Sequence, residues 1–157
     1  MNAREFKESL SKLATGVSII ATKSEGKFFG FTASSLASVS LNPPLISFCL
    51  NKNAASLNAF AQCDVFSVSI LAENQEEISR HFASHSDDKF AGIKHHLGVA
   101  SDCPLIENAI CWLECEKVQE FSTGDHLIFI GVVKASKINN DLNPLIYYAR
   151  NYRHLKL

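Results

Sequence analysis

The stretch Gly30–Leu50, GFTASSLASVSLNPPLISFCL, decides how the chain folds. It reads as strand, loop, strand. One strand arrives through Phe28–Thr32, a hydroxyl-rich loop spans Thr32–Ser40, and Leu45–Leu50 is a second apolar strand. Asn42-Pro43-Pro44 turns the chain between them. Neither proline can donate a backbone hydrogen bond, so both belong outside a central ladder. The loop carries five hydroxyls (Thr32, Ser34, Ser35, Ser38, Ser40) and two alanines. Such a segment lets a flat polar ligand approach the backbone and offers many donors. The same composition also suits an ordinary Ser-rich loop.

Upstream, Ala3–Leu13 spaces Phe6, Leu10 and Leu13 as one face of a short amphipathic helix. Val17–Thr22 is a strand, and Ser24-Glu25-Gly26 turns it into Lys27–Thr32 as a hairpin. Downstream, Asn53 can cap a helix over Ala54–Ala61, with Leu57 and Phe60 inward. Val65–Leu71 alternates Phe66, Val68 and Ile70 with Ser67 and Ser69, the pattern of a half-buried strand. Asn74–Ala83 places Ile78 and Phe82 four apart, as a second helix does. Ser84–Pro104 is a polar excursion. Ala109–Phe121 and His126–Lys137 are long strands joined through Ser122-Thr123-Gly124-Asp125. The second contains Leu127–Val133, an unbroken apolar run that predicts cover on both faces. Many strands with few helices, antiparallel by hairpin logic, predict a mostly β fold, a small antiparallel barrel. At 157 residues the chain is expected to form a single domain, 1–157.

A hydrophobic fraction of 46% with 20% charged residues is ordinary for a globular protein, and the net charge of −1 provides no basic field for nucleic acid. No apolar run approaches the roughly 18 residues that span a membrane. The charged N-terminus, MNAREFKESL, lacks the apolar region of a signal peptide, so a cytoplasmic location is expected. Five cysteines without such a signal are expected to be reduced. Cys111 and Cys115 lie about 13 Å apart on a straight strand, too far to share a metal. His81 and His85 could share a helical face, but no H-E-x-x-H order accompanies them, and no metal site is expected.

Neither G-x-G-x-x-G nor a P-loop is present, which argues against a doubly wound nucleotide fold. No G-x-S-x-G elbow supports a hydrolase reading of Gly124-Asp125-His126. That tripeptide suits a turn, with Gly124 left-handed and Asp125 bonding locally. Tyr147, Tyr148, Arg150 and Tyr152 form an aromatic-basic cluster fit for core packing, a subunit contact or a lid. Trp112 suits the core or an interface.

Five pieces, in order, resemble the flavin reductase-like family of split-barrel flavin-binding domains. They are Leu13-Ala14-Thr15-Gly16-Val17; the central stretch; Ile78-Ser79-Arg80-His81-Phe82-Ala83; Gly124-Asp125-His126 with Ile130-Gly131 and Val133; and Pro144-Leu145-Ile146-Tyr147-Tyr148. Together they cover nearly the whole chain. The resemblance implies a small antiparallel split β-barrel with a few short flanking helices. It further implies a homodimer with flavin near the subunit interface.

In function it implies an NAD(P)H:flavin oxidoreductase that passes hydride from NADH or NADPH to FMN or FAD. FMN is the preferred expectation, because the short chain shows no obvious adenine site. Reduced flavin would reach a partner flavin-dependent monooxygenase. Thr32, Ala33, Ser34, Ser35, Ser38, Val39 and Ser40 would contact the flavin, with Asn51, Asn53 and Ser56 at the ribityl chain and phosphate. The N-terminus of the Ala54 helix would also suit phosphate. Arg80, His81 and Phe82 would lie against the flavin, a basic side chain reaching its phosphate. Gly124, Asp125 and His126 would form the nicotinamide pocket, His126 positioning the donor without proton chemistry. A non-enzymatic flavin carrier, and an oxidase of the pyridoxamine-phosphate type, would use the same barrel.

Overall fold

The computed structural model describes residues 1–139 and 141–155. A seven-stranded antiparallel sheet dominates it. In chain order its strands are β2 (Ser18–Ser24), β3 (Lys27–Ala33), β4 (Ala37–Leu41), β5 (Pro44–Asn51), β6 (Val65–Ile70), β9 (Cys111–Thr123) and β10 (His126–Ile138). Across the sheet the order is β3-β2-β6-β9-β10-β5-β4. A three-stranded sheet joins β1 (Thr15–Gly16), β11 (Ile146–Tyr148) and β12 (Asn151–Arg153). A third, two-stranded sheet pairs β7 (His95–Leu97) with β8 (Pro104–Ile106). The helices α1 (Ala3–Leu10), α2 (Leu57–Gln62) and α3 (Glu76–Ala83) are short.

The large sheet curls on itself. Phe31, on the β3 edge, packs against Phe48 of β5, near the other edge, with ring centroids 5.9 Å apart. Phe48, Phe60, Phe66 and Phe129 are fully buried in the same core. Phe48 stacks on Phe129 at 5.0 Å, with their planes 13° apart. Phe31 is roughly perpendicular to Phe60, edge to face. The β3 and β5 ends therefore face each other without pairing, which leaves the barrel split between them.

Two-residue loops build the principal hairpins. Glu25 and Gly26, both at positive φ, join β2 to β3, which is the geometry that matches strand twist. Gly124 and Asp125 join β9 to β10, with Gly124 at φ 52°. Asn42 and Pro43 join β4 to β5; Pro43 stays outside the ladder as expected, whereas Pro44 opens β5 opposite Leu41, at the first position of a strand, where a missing N–H is tolerated.

Several expectations require correction. The segment Thr32–Ser40 is not all loop, because Ala37–Leu41 pairs with β5 as an edge strand. Helix α2 starts at Leu57, not Ala54, and Asn53 does not cap it; Asn53 N–H instead donates to Asn51 Oδ1 in a turn. Helix α1 stops at Leu10, and its Phe6 and Leu10 are exposed, as is Leu13 beyond it.

Strand β6 is buried on both faces, not half-buried. Ser67 Oγ donates to the Pro104 carbonyl, and Ser69 Oγ accepts from Ile106 N–H. The polar excursion folds over the strand and matches those hydroxyls. Within Leu127–Val133 only Phe129 and Gly131 are buried in the single chain; Leu127, Ile128, Ile130, Val132 and Val133 are half-exposed.

Trp112 belongs to the core, its indole N–H donating to the Ile106 carbonyl. Tyr147 and Tyr152 pack on a second core beneath α3, Tyr148 is exposed, and Arg150 pairs with Glu8. Burial raises the thiols of Cys63, Cys103 and Cys115, the last to about 12. No described helix is long and apolar enough to cross a membrane.

Candidate functional site

A cavity of about 660 Å³ opens at the split between β3 and β5. This volume lies within the range of small-molecule and cofactor sites, roughly 300–1,000 Å³. One wall is β3 and the loop after it, Phe28 through Ser35. Opposite are Cys49–Asn51 of β5 and the turn Asn53–Ser56. Phe82 and the segment after α3, through Lys89, form a third side, and His126 stands at the rim.

Local bonding decides which polar groups remain for a ligand. Thr32 Oγ1 donates to the Ser79 carbonyl at 2.6 Å, tying β3 to α3. Ser35 Oγ accepts from Cys49 N–H and donates to the Cys49 carbonyl, closing the loop onto β5. These hydroxyls shape the wall. Ser56 stands at the N-cap of α2 without a side-chain capping bond, although it is buried. Gly30 permits close approach, since a β-carbon there would press on Phe82 and Phe90.

Of the expected flavin contacts, the cavity gathers Thr32, Ala33, Ser34, Ser35, Asn51, Asn53, Ser56 and Phe82. It leaves out Ser38, Val39 and Ser40, which belong to the β4 edge strand and its bulge. Arg80 and His81 are also outside the lining. Phe82 faces inward on α3, and a residue two places earlier points to roughly the opposite side of a helix. Arg80 accordingly binds Glu76 through Nε and a terminal nitrogen and lies 4.8 Å from the Tyr152 ring centroid. The Glu76 hydrogen bond is also the main reason its guanidinium is held above its ordinary value. His81 Nε2 donates to the Lys89 carbonyl at 2.9 Å.

That bond points to the cation the sequence reading passed over. Lys89 lines the cavity, and its ammonium donates to the Phe82 carbonyl at 2.7 Å. Desolvation alone lowers its ammonium from the ordinary value; no carboxylate pairs with it among the described residues. Asp88 Oδ1 accepts from Phe90 and Ala91 N–H in an Asx turn that fixes the adjacent lysine. The sequence signal was available in Asp88-Lys89, but only the fold brings that turn beside β3.

At the rim, His126 Nδ1 donates to Asp125 Oδ1 at 2.7 Å, and the ring is 41% exposed. This bond and the neighbouring imidazole's charge hold the Asp125 carboxyl below its usual range. Gly124 and Asp125 themselves do not line the cavity. With Nδ1 engaged, Nε2 has no hydrogen-bond partner among the described residues.

The family model for the flavin reductase-like domain matches residues 10–156. The reductase component of 4-hydroxyphenylacetate 3-monooxygenase from Thermus thermophilus is 32% identical over 150 residues, covering 96% of this chain and 95% of its own. A Rhizobium meliloti protein named "Probable flavin reductase" is 36% identical over 150 residues, and the chain spans about half of it, 48%. Among solved structures, a Streptomyces globisporus NADH:FAD oxidoreductase in complex with NAD and FAD fragments superposes with a TM-score of 0.95. It has 32% identity, over 99% of this chain and 93% of its own. The family model spans nearly the whole chain and the relatives align over almost all of it, and the chain belongs to the flavin reductase-like domain family.

Proposed function

We propose that the protein is an NAD(P)H-dependent flavin reductase whose flavin occupies the cavity between β3 and β5, with the nicotinamide entering beside His126. The observation that carries this reading is the cavity's composition. Apolar β3 residues and Phe82 supply flat walls, and Ser34, Asn53 and Ser56 supply polar contacts for a ribityl chain. Lys89, desolvated and without a carboxylate partner among the described residues, supplies a cation for a flavin phosphate. This replaces Arg80 and His81 in the phosphate role. Flavin, when bound, supplies the hydride-accepting ring. The protein excludes water with Phe82 and Phe28, fixes the loop through Thr32 and Ser35, and presents His126 Nε2 at the rim.

FMN and FAD share the ring, ribityl chain and first phosphate, so the Lys89 assignment holds for either. FMN is the preferred reading, with FAD, named for the solved Streptomyces globisporus oxidoreductase, as the second. The half-exposed Ile128 and Ile130 support a homodimer, and reductase components among the relatives support delivery of reduced flavin to a partner monooxygenase.

His126→Ala tests the donor assignment. Losing one neutral hydrogen bond of about 0.5–1.5 kcal/mol should raise the apparent KM for NADH or NADPH several-fold, with flavin affinity nearly unchanged. A loss on the order of 10²–10⁴ in turnover would instead indicate proton chemistry. Identical kinetics in wild type and variant would remove His126 from the donor pocket.

A further inference from the structure

Lys52 lies between the two halves of the site. It sits on the turn that follows β5, flanked by Asn51 and Asn53, both of which line the cavity. Its own side chain leaves the cavity and crosses to the β9–β10 turn. There the ammonium donates to the Gly124 carbonyl at 2.7 Å, and the backbone N–H donates to the Asp125 carbonyl at 2.9 Å. His126, the next residue, opens β10 and is opposite Asn51 in the β5 ladder. The two turns are therefore pinned at two points, one from the main chain and one from a side chain.

We propose that Lys52 is a positioning residue that holds the Gly124-Asp125 turn, and with it the His126 imidazole, in register with the flavin wall. The inference rests on the reading of His126 as a donor contact. An exposed two-residue turn has few packing contacts to hold it, and fixing its main chain limits how far His126 can swing. Lysine suits the task because its long stem spans from one turn to the other and its ammonium donates to a carbonyl. The main-chain bond survives any substitution except proline, so Lys52→Met removes the ammonium alone.

The experiment uses full-length Lys52→Met, Lys52→Arg and His126→Ala, each checked for unchanged thermal stability and flavin affinity. Two readouts are taken: the imidazole NMR resonances of His126, and KM against kcat for NADH and for N-benzyl dihydronicotinamide, a donor without phosphates. The expected result for Lys52→Met is a shift or broadening of the His126 resonances. Its KM should rise about three- to ten-fold for both donors, the scale of one hydrogen bond. Lys52→Arg, which can still reach a carbonyl, should restore both readouts.

An effect on NADH that vanishes with the phosphate-free donor would overturn the proposal, since Lys52 would then act on the donor's phosphates. Unmoved His126 resonances would also overturn it. If His126→Ala leaves both donors unaffected while Lys52→Met still shifts the resonances, the clamp stands and the donor-pocket reading fails.

Discussion

Phe129→Ala should destabilise the protein by about 3–5 kcal/mol, the usual cost of removing a buried phenyl ring from a packed core. Phe129 is fully buried and stacked on Phe48, which contacts Phe31, Phe60 and Phe66 in turn. This cluster draws the β3 and β5 edges together, so its loss loosens the cavity as well as the core. Thermal unfolding should show a fall in Tm on the order of 10 °C for a domain of this size. Phe129→Leu, which retains most of the apolar volume, should lose much less. Equal losses in the two variants would mean that ring stacking, not volume, dominates at this position.

Lys89→Met should weaken FMN binding by about ten- to a hundred-fold, the effect of one charge-assisted hydrogen bond. Riboflavin, which carries the same ring and ribityl chain without the phosphate, supplies the control. Its affinity should change little, because methionine keeps an unbranched apolar stem at that position. Fluorescence titration of both ligands measures the difference. A parallel loss for riboflavin and FMN would assign Lys89 to shaping the segment after α3, through its bond to the Phe82 carbonyl, and remove it from the phosphate subsite.

Where local chemistry decides, the fold was legible in the sequence. The Glu25-Gly26 and Gly124-Asp125 turns and the apolar periods around them specify the β2–β3 and β9–β10 hairpins without help from distant residues. Strand β4 reads as loop because of its serines, although Ala37, Val39 and Leu41 alternate with Ser38 and Ser40; that apolar set stays exposed in the single chain, and the strand's pairing comes from the main chain against β5. Ser67 and Ser69 read as a solvent face, yet they are buried, since β8, which follows the excursion, brings main-chain groups of Pro104 and Ile106 that need partners.

The site divided along the same line. Thr32–Ser35 of the hydroxyl segment, with Asn51, Asn53, Ser56 and His126, were identified by residue type and line the cavity, whereas Ser38, Val39 and Ser40 do not. The cation was not. Charge nominated Arg80 and His81, but the phase of α3, set by buried Phe82, turns Arg80 to Glu76 and Tyr152. Lys89 reaches the cavity only through tertiary folding.

Anaerobic stopped-flow mixing of the flavin-loaded protein with NADH, and separately with NADPH, tests the central claim most directly. The flavin absorbance is expected to bleach at a rate that rises and saturates with at least one donor. Saturable flavin binding with no donor-dependent bleaching would contradict it, and the protein would then be a flavin carrier on the same barrel.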